Sequence, residues 1–494
     1  MEATLTPWEV KGKVNYMAQI NKFGTSAVDT ELVKRWEKVT KMKAHRFIRR
    51  GLVFSHQDIE LILDDVEAGR PVYIYTGRGP SSESMHLGHM VPFLFTKYLQ
   101  DALNCIVVIQ MSDEEKYFFK DGSGPRDLES YRQLGYKNAR DVIACGFDLK
   151  KTFIFSDLEF NCGNLFFNNC LLMKATTMNQ IQGIYGLGST VDQTVVDLCK
   201  RELLTEHNED KIKAYNKIVN SYDGKESSNT VGQCIWPCFQ CGPSYCTSFS
   251  SMFIQALEHS LLEGREIPEI VKNNMRISLE QLKKSHSGGN IRCLVPMAID
   301  QAPYFRLARD VAHVIECPKP AVVHSEFLPG LKQDNDKMSS TGGEENATLF
   351  LDMTPEQIAQ TIKKHAFSGG RETKKDHEKY GGNIGIDISY QYLTFFLESD
   401  EELRNIAERY TQGELLSNQL KTLTANLISD IIREHQQRKS EITEDVLLEF
   451  FNYNRVFDIG GCYGRSDLES VETYTKGAGL DYDRTFGLKP TSEP

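Results

Sequence analysis

Two short stretches gather the residue types that phosphate chemistry uses. The first, TGRGPSSESMHLGH at 76–89, sets Gly77 and Gly79 in a loop after an apolar run and places His86 and His89 three residues apart at a helix start. Gly-rich backbone and helix N-termini both aim unpaired N–H groups at an anion. Histidines at i and i+3 share one helix face, and Gly88 between them leaves the backbone open to a flat ring. An isolated HxGH also suits a pair of metal ligands or a buried, satisfied histidine. The second stretch, DNDKMSSTGGEEN at 334–346, joins the compact cation Lys337 to the hydroxyls of Ser339 and Ser340 and to the mobile pair Gly342 and Gly343. Such a loop suits a polyphosphate whose charge shifts during reaction, although alone it is equally a solvated loop. Together and in this order, the two point to nucleotide chemistry.

The elements between them are those that position such loops. PVYIYTGRGP reads as a buried strand entering a turn, HLGHMVPFLFTKYLQDAL as a helix and NCIVVIQMSDEEK as a second strand. YRQLGYKNARDVIACG and KKTFIFSD continue the alternation, and IRCLVPMAIDQAPYFRLARDVAHVIECPKPAVVHSEFL repeats it. Strand–helix alternation predicts a parallel sheet with right-handed crossovers, and two such halves predict a doubly wound α/β fold with ligand at the strands' carboxyl ends. We expect an N-terminal extension over 1–70, a catalytic domain over 71–351 with a charged surface insertion near 190–228, a helical domain over 352–455 and a Gly-rich peripheral tail over 456–494. Within the extension, Ser55 is placed to cap a helix that Gly69 ends.

The 494 residues, 40% hydrophobic and 25% charged, describe a globular chain of two or three domains. No apolar run approaches the roughly 20 residues that cross a bilayer, and the start lacks the basic flank and apolar stretch of a secretory signal. A cytoplasmic protein without a membrane partner is expected. No GxGxxG follows a strand and no GxxxxGK[ST] occurs, which excludes nicotinamide-dehydrogenase and P-loop patterns. A net charge of −11 disfavours wholesale nucleic-acid binding, though a basic face can sit on an acidic protein. Lys34, Arg35, Lys38, Lys41, Lys43, Arg46, Arg49 and Arg50 offer one such stretch, read here as a solvated helix face in preference to an RNA contact. Twelve cysteines in a large cytosolic chain are not a disulfide framework. Cys234, Cys238, Cys241 and Cys246 are spaced C-x3-C-x2-C-x4-C, which could bind zinc or an iron–sulfur cluster; the irregular spacing favours structural thiols.

HLGH followed by KMSS resembles the paired motifs of class I aminoacyl-tRNA synthetases. The longer strings YTGRGPSSESMHLGH, VIQMSDEEKYFFKD, AIDQAPYFRLARDVA, KPAVVHSEFLPGL and KKHAFSGGRET resemble the tryptophanyl-tRNA synthetases of eukaryotic cytosolic type, from about residue 9 to about 452. The likeness implies a Rossmann-like catalytic domain, a C-terminal helical anticodon-binding domain and an N-terminal extension beside the active site. It also implies ATP with Mg2+, L-tryptophan and tRNA(Trp) as ligands, and a homodimer.

By the same resemblance, His86, His89 and Lys337 would be catalytic, acting on the ATP phosphates and the departing pyrophosphate. Arg78, Gly88, Asp300, Met338, Ser339 and Ser340 would bind ATP. Tyr75 and Gln110 would recognise the indole, whose buried N–H needs an acceptor, and Glu115, Lys116, Gln240 and Gln301 would surround the amino acid's ammonium and carboxylate. Departures from the family pattern are Thr341 after KMSS, the 190–228 insertion, the tail, and no evident appended N-terminal helical hairpin. The rival expectations are a tyrosyl-tRNA synthetase, which shares fold and motifs, and a non-catalytic relative serving as a binding protein.

Overall fold

The apolar runs become strands of one sheet. The computed structural model describes residues 4–5, 10–11, 16–119, 127–185, 193–204, 208–221, 230–263, 266–284, 288–332, 338 and 347–463. A short ribbon pairs β1 (Thr4–Leu5) with β2 (Val10–Lys11). The main sheet contains β3 (Ser26–Ala27), β4 (Val53–Gln57), β5 (Val72–Arg78), β6 (Ile106–Met111), β7 (Thr152–Ser156), β8 (Arg292–Ala298) and β9 (Ala321–Ser325). Their spatial order is β3-β4-β9-β8-β5-β6-β7. Strands β5 to β9 are parallel, and the order 9-8-5-6-7 is that of a doubly wound fold, reversing direction between β5 and β8.

Alternate residues feed two cores. Val72 and Ile74 of β5 join Val107, Ile109 and Met111 of β6 on one face, with helix Leu87–Leu103 packed over them. Tyr73 and Tyr75 join Ile106, Val108 and Phe155 on the other, under helices Val231–Cys241 and Ala302–Ile315. Each large apolar side chain so buried contributes about 1.5–3 kcal/mol. The near-continuous apolar character of these strands follows from burial on both faces.

The N-terminal region departs from expectation. Ser55 caps no helix: it lies in β4, which runs antiparallel to β9 and extends the sheet, and its hydroxyl meets His324 Nδ1 at 3.0 Å. The helix that follows, Ile59–Glu67, starts after Asp58 at φ 61° and ends before Gly69 at φ 68°, the left-handed exit that glycine favours. The basic stretch is only partly a solvated face: Lys38 is exposed, but the arginines are paired. Arg35 pairs with Asp64 and Glu67, while the Nε atoms of Arg49 and Arg50 each meet one oxygen of Asp400 at 2.8 Å. Arg46 donates to Phe395 O and pairs with Glu398, so three arginines fasten this region to the helices beyond residue 352.

Those helices, Pro355–His365, Lys374–Tyr380, Ile388–Phe396, Asp400–Thr411, Ser417–Ser440 and Glu444–Phe451, have a small core of their own around Leu403, Ile406, Tyr410 and Leu420. Ile358, Ile388, Phe395, Ile428 and Ile432 belong instead to the core under helix Leu87–Leu103. At that seam fully buried Asp141, on helix Leu128–Ile143, meets His435 Nε2 at 3.1 Å and Lys439 Nζ at 2.7 Å.

The described part of the tail, 456–463, is packed rather than peripheral. Phe457 and Ile459 are buried, Arg455 lies over the Phe457 ring, and Gly461 N donates to Asn104 O at 2.7 Å while Asn104 Nδ2 returns a bond to Gly461 O. Gly460, at φ 73°, lies so near Asn104 that an added Cβ would sit 1.7 Å from its carbonyl oxygen. The strap runs beneath the amino ends of β5, β6 and β7. In the insertion, helices Gln193–Leu203 and Glu209–Ser221 lie against one another, and its Gly/Ser end falls outside the described residues.

Candidate active site

Strand β5 delivers the first loop to the point where the sheet reverses. In register, Gly77 faces Gln110 and Arg78 faces Met111 across β5 and β6. His86 is the N-cap of helix Leu87–Leu103, with extended backbone and a buried side chain. Its N–H reaches His89 Nδ1 at 3.4 Å, and the two rings stack with centroids 3.4 Å apart. Residues 349–351, just beyond the second loop, clamp this turn: Leu87 N donates to Leu349 O at 2.8 Å and Leu351 N to Met85 O at 2.9 Å. The two motifs meet at glycine. A Cβ on Gly88 would lie 3.2 Å from the His86 ring and 3.3 Å from Met338 Cβ. Met338 is buried with its N–H donated to Leu328 O, so it reaches the motif by packing and offers no free backbone donor. Lys337, Ser339 and Ser340 lie outside the described residues.

Arg78 stands at the carboxyl end of β5. Its Nε donates to Asn138 Oδ1 at 3.3 Å, and Nη2 is buried with no hydrogen-bond partner. Burial pushes the guanidinium down to about 10, opposed by the charges of Glu115 and Asp141, and it stays cationic at neutral pH. Glu115 pairs with Lys116 at 2.7 Å and accepts from Ser112 Oγ. A Cβ on Gly79 would fall 2.0 Å from Glu115 Oε2, so only glycine lets that carboxylate approach the loop. Across the reversal, Asp300 is buried in the turn Ile299–Gln301 after β8, and Gln301 is half-buried at the start of helix Ala302–Ile315. The N-terminal region reaches this point as well. Tyr16, Ile20 and Phe23 pack on a small cluster of Phe54, Ile299, Ala302 and Phe327, and burial, then the charges of Glu326 and Asp300, push the Tyr16 phenol up.

A third group forms a polar wall. Tyr75 OH lies 2.5 Å from Gln110 Oε1 and 2.9 Å from Gln240 O, while Gln110 Nε2 donates to Asp157 Oδ2 at 2.7 Å and to Phe239 O at 3.2 Å. Gln240 therefore contributes its backbone here. Burial, opposed by the hydrogen bond from Gln110 and helped by the charge of Asp113, pushes Asp157 up to about 8; burial and the Asp157 charge raise neighbouring Glu114 well above the carboxylate range.

Asp157, Glu114, Asn138 and the 349–351 clamp were not anticipated from the sequence. Only Asp157 carried a signal, as an acid at the carboxyl end of an apolar strand run. Cys238, Cys241 and Cys246 are buried and Cys234 half-buried, all as free thiols, and Cys241 donates to Tyr304 O. Among the described residues no group of three or more His, Cys, Asp or Glu is set to hold a metal ion.

Comparison with known proteins brings sequence and geometry together. Residues 67–195 and 278–433 match the family described as tRNA synthetases class I (W and Y). The cytoplasmic tryptophan–tRNA ligase of Dictyostelium discoideum is 39% identical over 459 residues, covering 92% of this chain and 96% of its own. Its Homo sapiens counterpart is 38% identical over 455 residues, covering 91% and 80%. Among solved structures, the Plasmodium falciparum tryptophanyl-tRNA synthetase superposes with a TM-score of 0.69 at 36% identity, over 89% of this chain and 96% of that one. The Giardia lamblia tryptophanyl-tRNA synthetase gives 0.70 at 33% identity, over 88% and 95%.

Proposed function

Since this chain belongs to the class I tRNA synthetases of the tryptophan and tyrosine family, we propose that it is a tryptophan–tRNA ligase acting in cytoplasmic translation. ATP lies across the reversal between β5 and β8, with its phosphates at the amino end of helix Leu87–Leu103. A carboxylate oxygen of L-tryptophan attacks the α-phosphorus, the bond to the β-phosphate bridging oxygen breaks, and pyrophosphate leaves. A ribose hydroxyl at the end of tRNA(Trp) then attacks the acyl carbon, and AMP departs with the bonding pair.

The observation that carries this reading is the meeting of the histidine turn with Met338 at Gly88, together with an unpartnered guanidinium nitrogen of Arg78 at the end of the strand that leads into that turn. His86 and His89 donate to phosphate oxygens as charge grows, Arg78 holds an anionic oxygen, and Lys337, Ser339 and Ser340 follow the departing pyrophosphate. These are positioning and charge effects, which suffice for phosphoryl chemistry. Mg2+ adds positive charge to the phosphates. With no ready-made cluster of ligands among the described residues, it fits an ion carried in on the nucleotide. Asp300 flanks the nucleotide; Tyr75 and Gln110 receive the indole, and Glu115, Lys116, Gln240 and Gln301 lie toward the ammonium and carboxylate.

The helices from 352 to 455 take the anticodon, with exposed Arg371, Lys375 and Lys379 available to phosphate. A second copy of the chain is the partner of helix Gly163–Ala175. That helix buries Leu165 and Leu172 inward, together with Asn168 and Asn169, yet leaves Phe166 48% and Phe167 42% exposed. The relatives' names as cytoplasmic enzymes support the compartment, and no helix among the described residues is long and apolar enough to cross a membrane.

Amino-acid-dependent ATP–pyrophosphate exchange tests the reading. Exchange with tryptophan alone is expected. Exchange with tyrosine would move the chain to the sister specificity, and none with any amino acid would favour a non-catalytic relative.

A further inference from the structure

The wall made by Tyr75 and Gln110 has hydrogen-bond acceptors to offer and no donors. An amide's oxygen and nitrogen are nearly identical in shape, so its partners decide which is which. Phe239 O can only accept, so the Gln110 atom 3.2 Å away is nitrogen; its second N–H goes to Asp157 Oδ2 at 2.7 Å. Both amide hydrogens are thereby spent, and Oε1 is turned toward Tyr75. The single hydrogen of Tyr75 is held between Gln110 Oε1 and Gln240 O. What remains is lone pairs on Gln110 Oε1 and Tyr75 Oη. Gly77 keeps room beside them, since a Cβ there would stand 3.5 Å from Gln110 Oε1.

We infer that Asp157, acting through Gln110, is the positioning residue that makes this wall acceptor-only and so selects a ring bearing an N–H. The inference rests on the tryptophan reading above. Asp157 is buried at the first position of helix Asp157–Phe160, beside fully buried Gln110. Glu114, whose carboxyl oxygens have no other hydrogen-bond partner, lies against Asp157. With Glu114 and Asp157 both raised by burial, Asp157 Oδ2 still keeps a lone pair to accept from Gln110 Nε2. An indole N–H then finds an acceptor. An isosteric ring lacking N–H would leave the wall unpaired, a costly mismatch in a buried site; a phenol could donate its O–H to the wall but would leave its own lone pairs without a donor, a smaller penalty.

The test uses the full chain and pyrophosphate exchange. The readout is kcat/KM for tryptophan divided by that for β-(3-benzothienyl)alanine, in which sulfur replaces the ring N–H. The native protein is expected to favour tryptophan on the order of 10–100-fold. Asp157→Leu, similar in branching though larger and unable to accept, should lower the ratio at least about fivefold, through KM for tryptophan with kcat nearly unchanged. Asp157→Asn keeps an oxygen for Gln110 Nε2 and should restore most of it. A folded Asp157→Leu protein with an unchanged ratio overturns the inference, as does a kcat loss equal for both amino acids. Should the leucine variant not fold, Asp157→Ala reads the same ratio. Native exchange with tyrosine in place of tryptophan would defeat the underlying reading instead, and is visible before any variant is made.

Discussion

His86 and His89 lie ring on ring, with centroids 3.4 Å apart and planes 22° from parallel, one buried and the other half-buried. The inner ring is fixed by the 349–351 clamp, and it in turn holds the outer ring over the helix N-terminus. His89→Ala should therefore cut tryptophan-dependent pyrophosphate exchange by about 100-fold or more while the circular dichroism melt stays close to native. Lys337→Ala should behave alike. Near-native exchange in both would remove these residues from the chemistry.

Gly79→Ala separates shape from charge. The new methyl would strike Glu115 Oε2, the end of a side chain able to swing away, so the protein should fold. The displaced carboxylate should raise KM for the amino acid several-fold more than KM for ATP. Equal changes in both constants would place Glu115 away from the amino acid.

Asp141 joins two parts of the molecule. Removing one member of a buried charge group leaves the others uncompensated, at a cost of about 3–5 kcal/mol. Asp141→Ala should lower the urea midpoint accordingly, because Lys439 and His435 of helix Ser417–Ser440 lose their shared carboxylate. An unchanged midpoint would mean that the seam holds by apolar packing alone.

His324 gives the protein an acid limit. Burial, then the charges of His56 and Arg309, pushes its imidazole from 6.5 down to about 3. Between those values the unfolded chain binds a proton that the native state refuses. Stability then falls as pH drops below 6.5, at up to about 1.4 kcal/mol per pH unit. His45, pushed down to about 2 by burial and then by Arg46, Arg49 and Arg50, acts in the same direction. His324→Gln should lose about 2 kcal/mol less than the native protein between pH 7 and pH 5, by urea unfolding at each pH. Equal losses would show that the ring takes up its proton without unfolding.

The parallel strands were readable because burial on both faces writes them as apolar runs closed by Gly or Pro, as VYIYTGRG shows at β5. Strand β4 was not. Ser55 and His56 are polar, and only pairing with β9, some 270 residues on, makes them a buried edge. Arg49 and Arg50 looked like surface charge because their partner Asp400 lies still farther on, 351 and 350 residues away in sequence. In the candidate site, the motif residues stood out by type and spacing. The partners that orient them, Asp157, Asn138 and the carbonyls of Phe239 and Leu349, belong to common residues that only the fold brings near. A backbone carbonyl carries no sequence signal at all.

The strap over the amino ends of β5, β6 and β7 has a consequence for how the chain is made. Those three strands leave the ribosome early, yet the floor beneath them, from Arg455 to Cys462, follows only after the entire helical unit. Through most of synthesis the strand bases and the Asn104 turn stand open to solvent, an apolar edge exposed at the stage when nascent chains aggregate. The catalytic half can therefore close only after the helical half has been translated, and a chain cut short before residue 455 would carry every motif residue named above on an unsealed sheet.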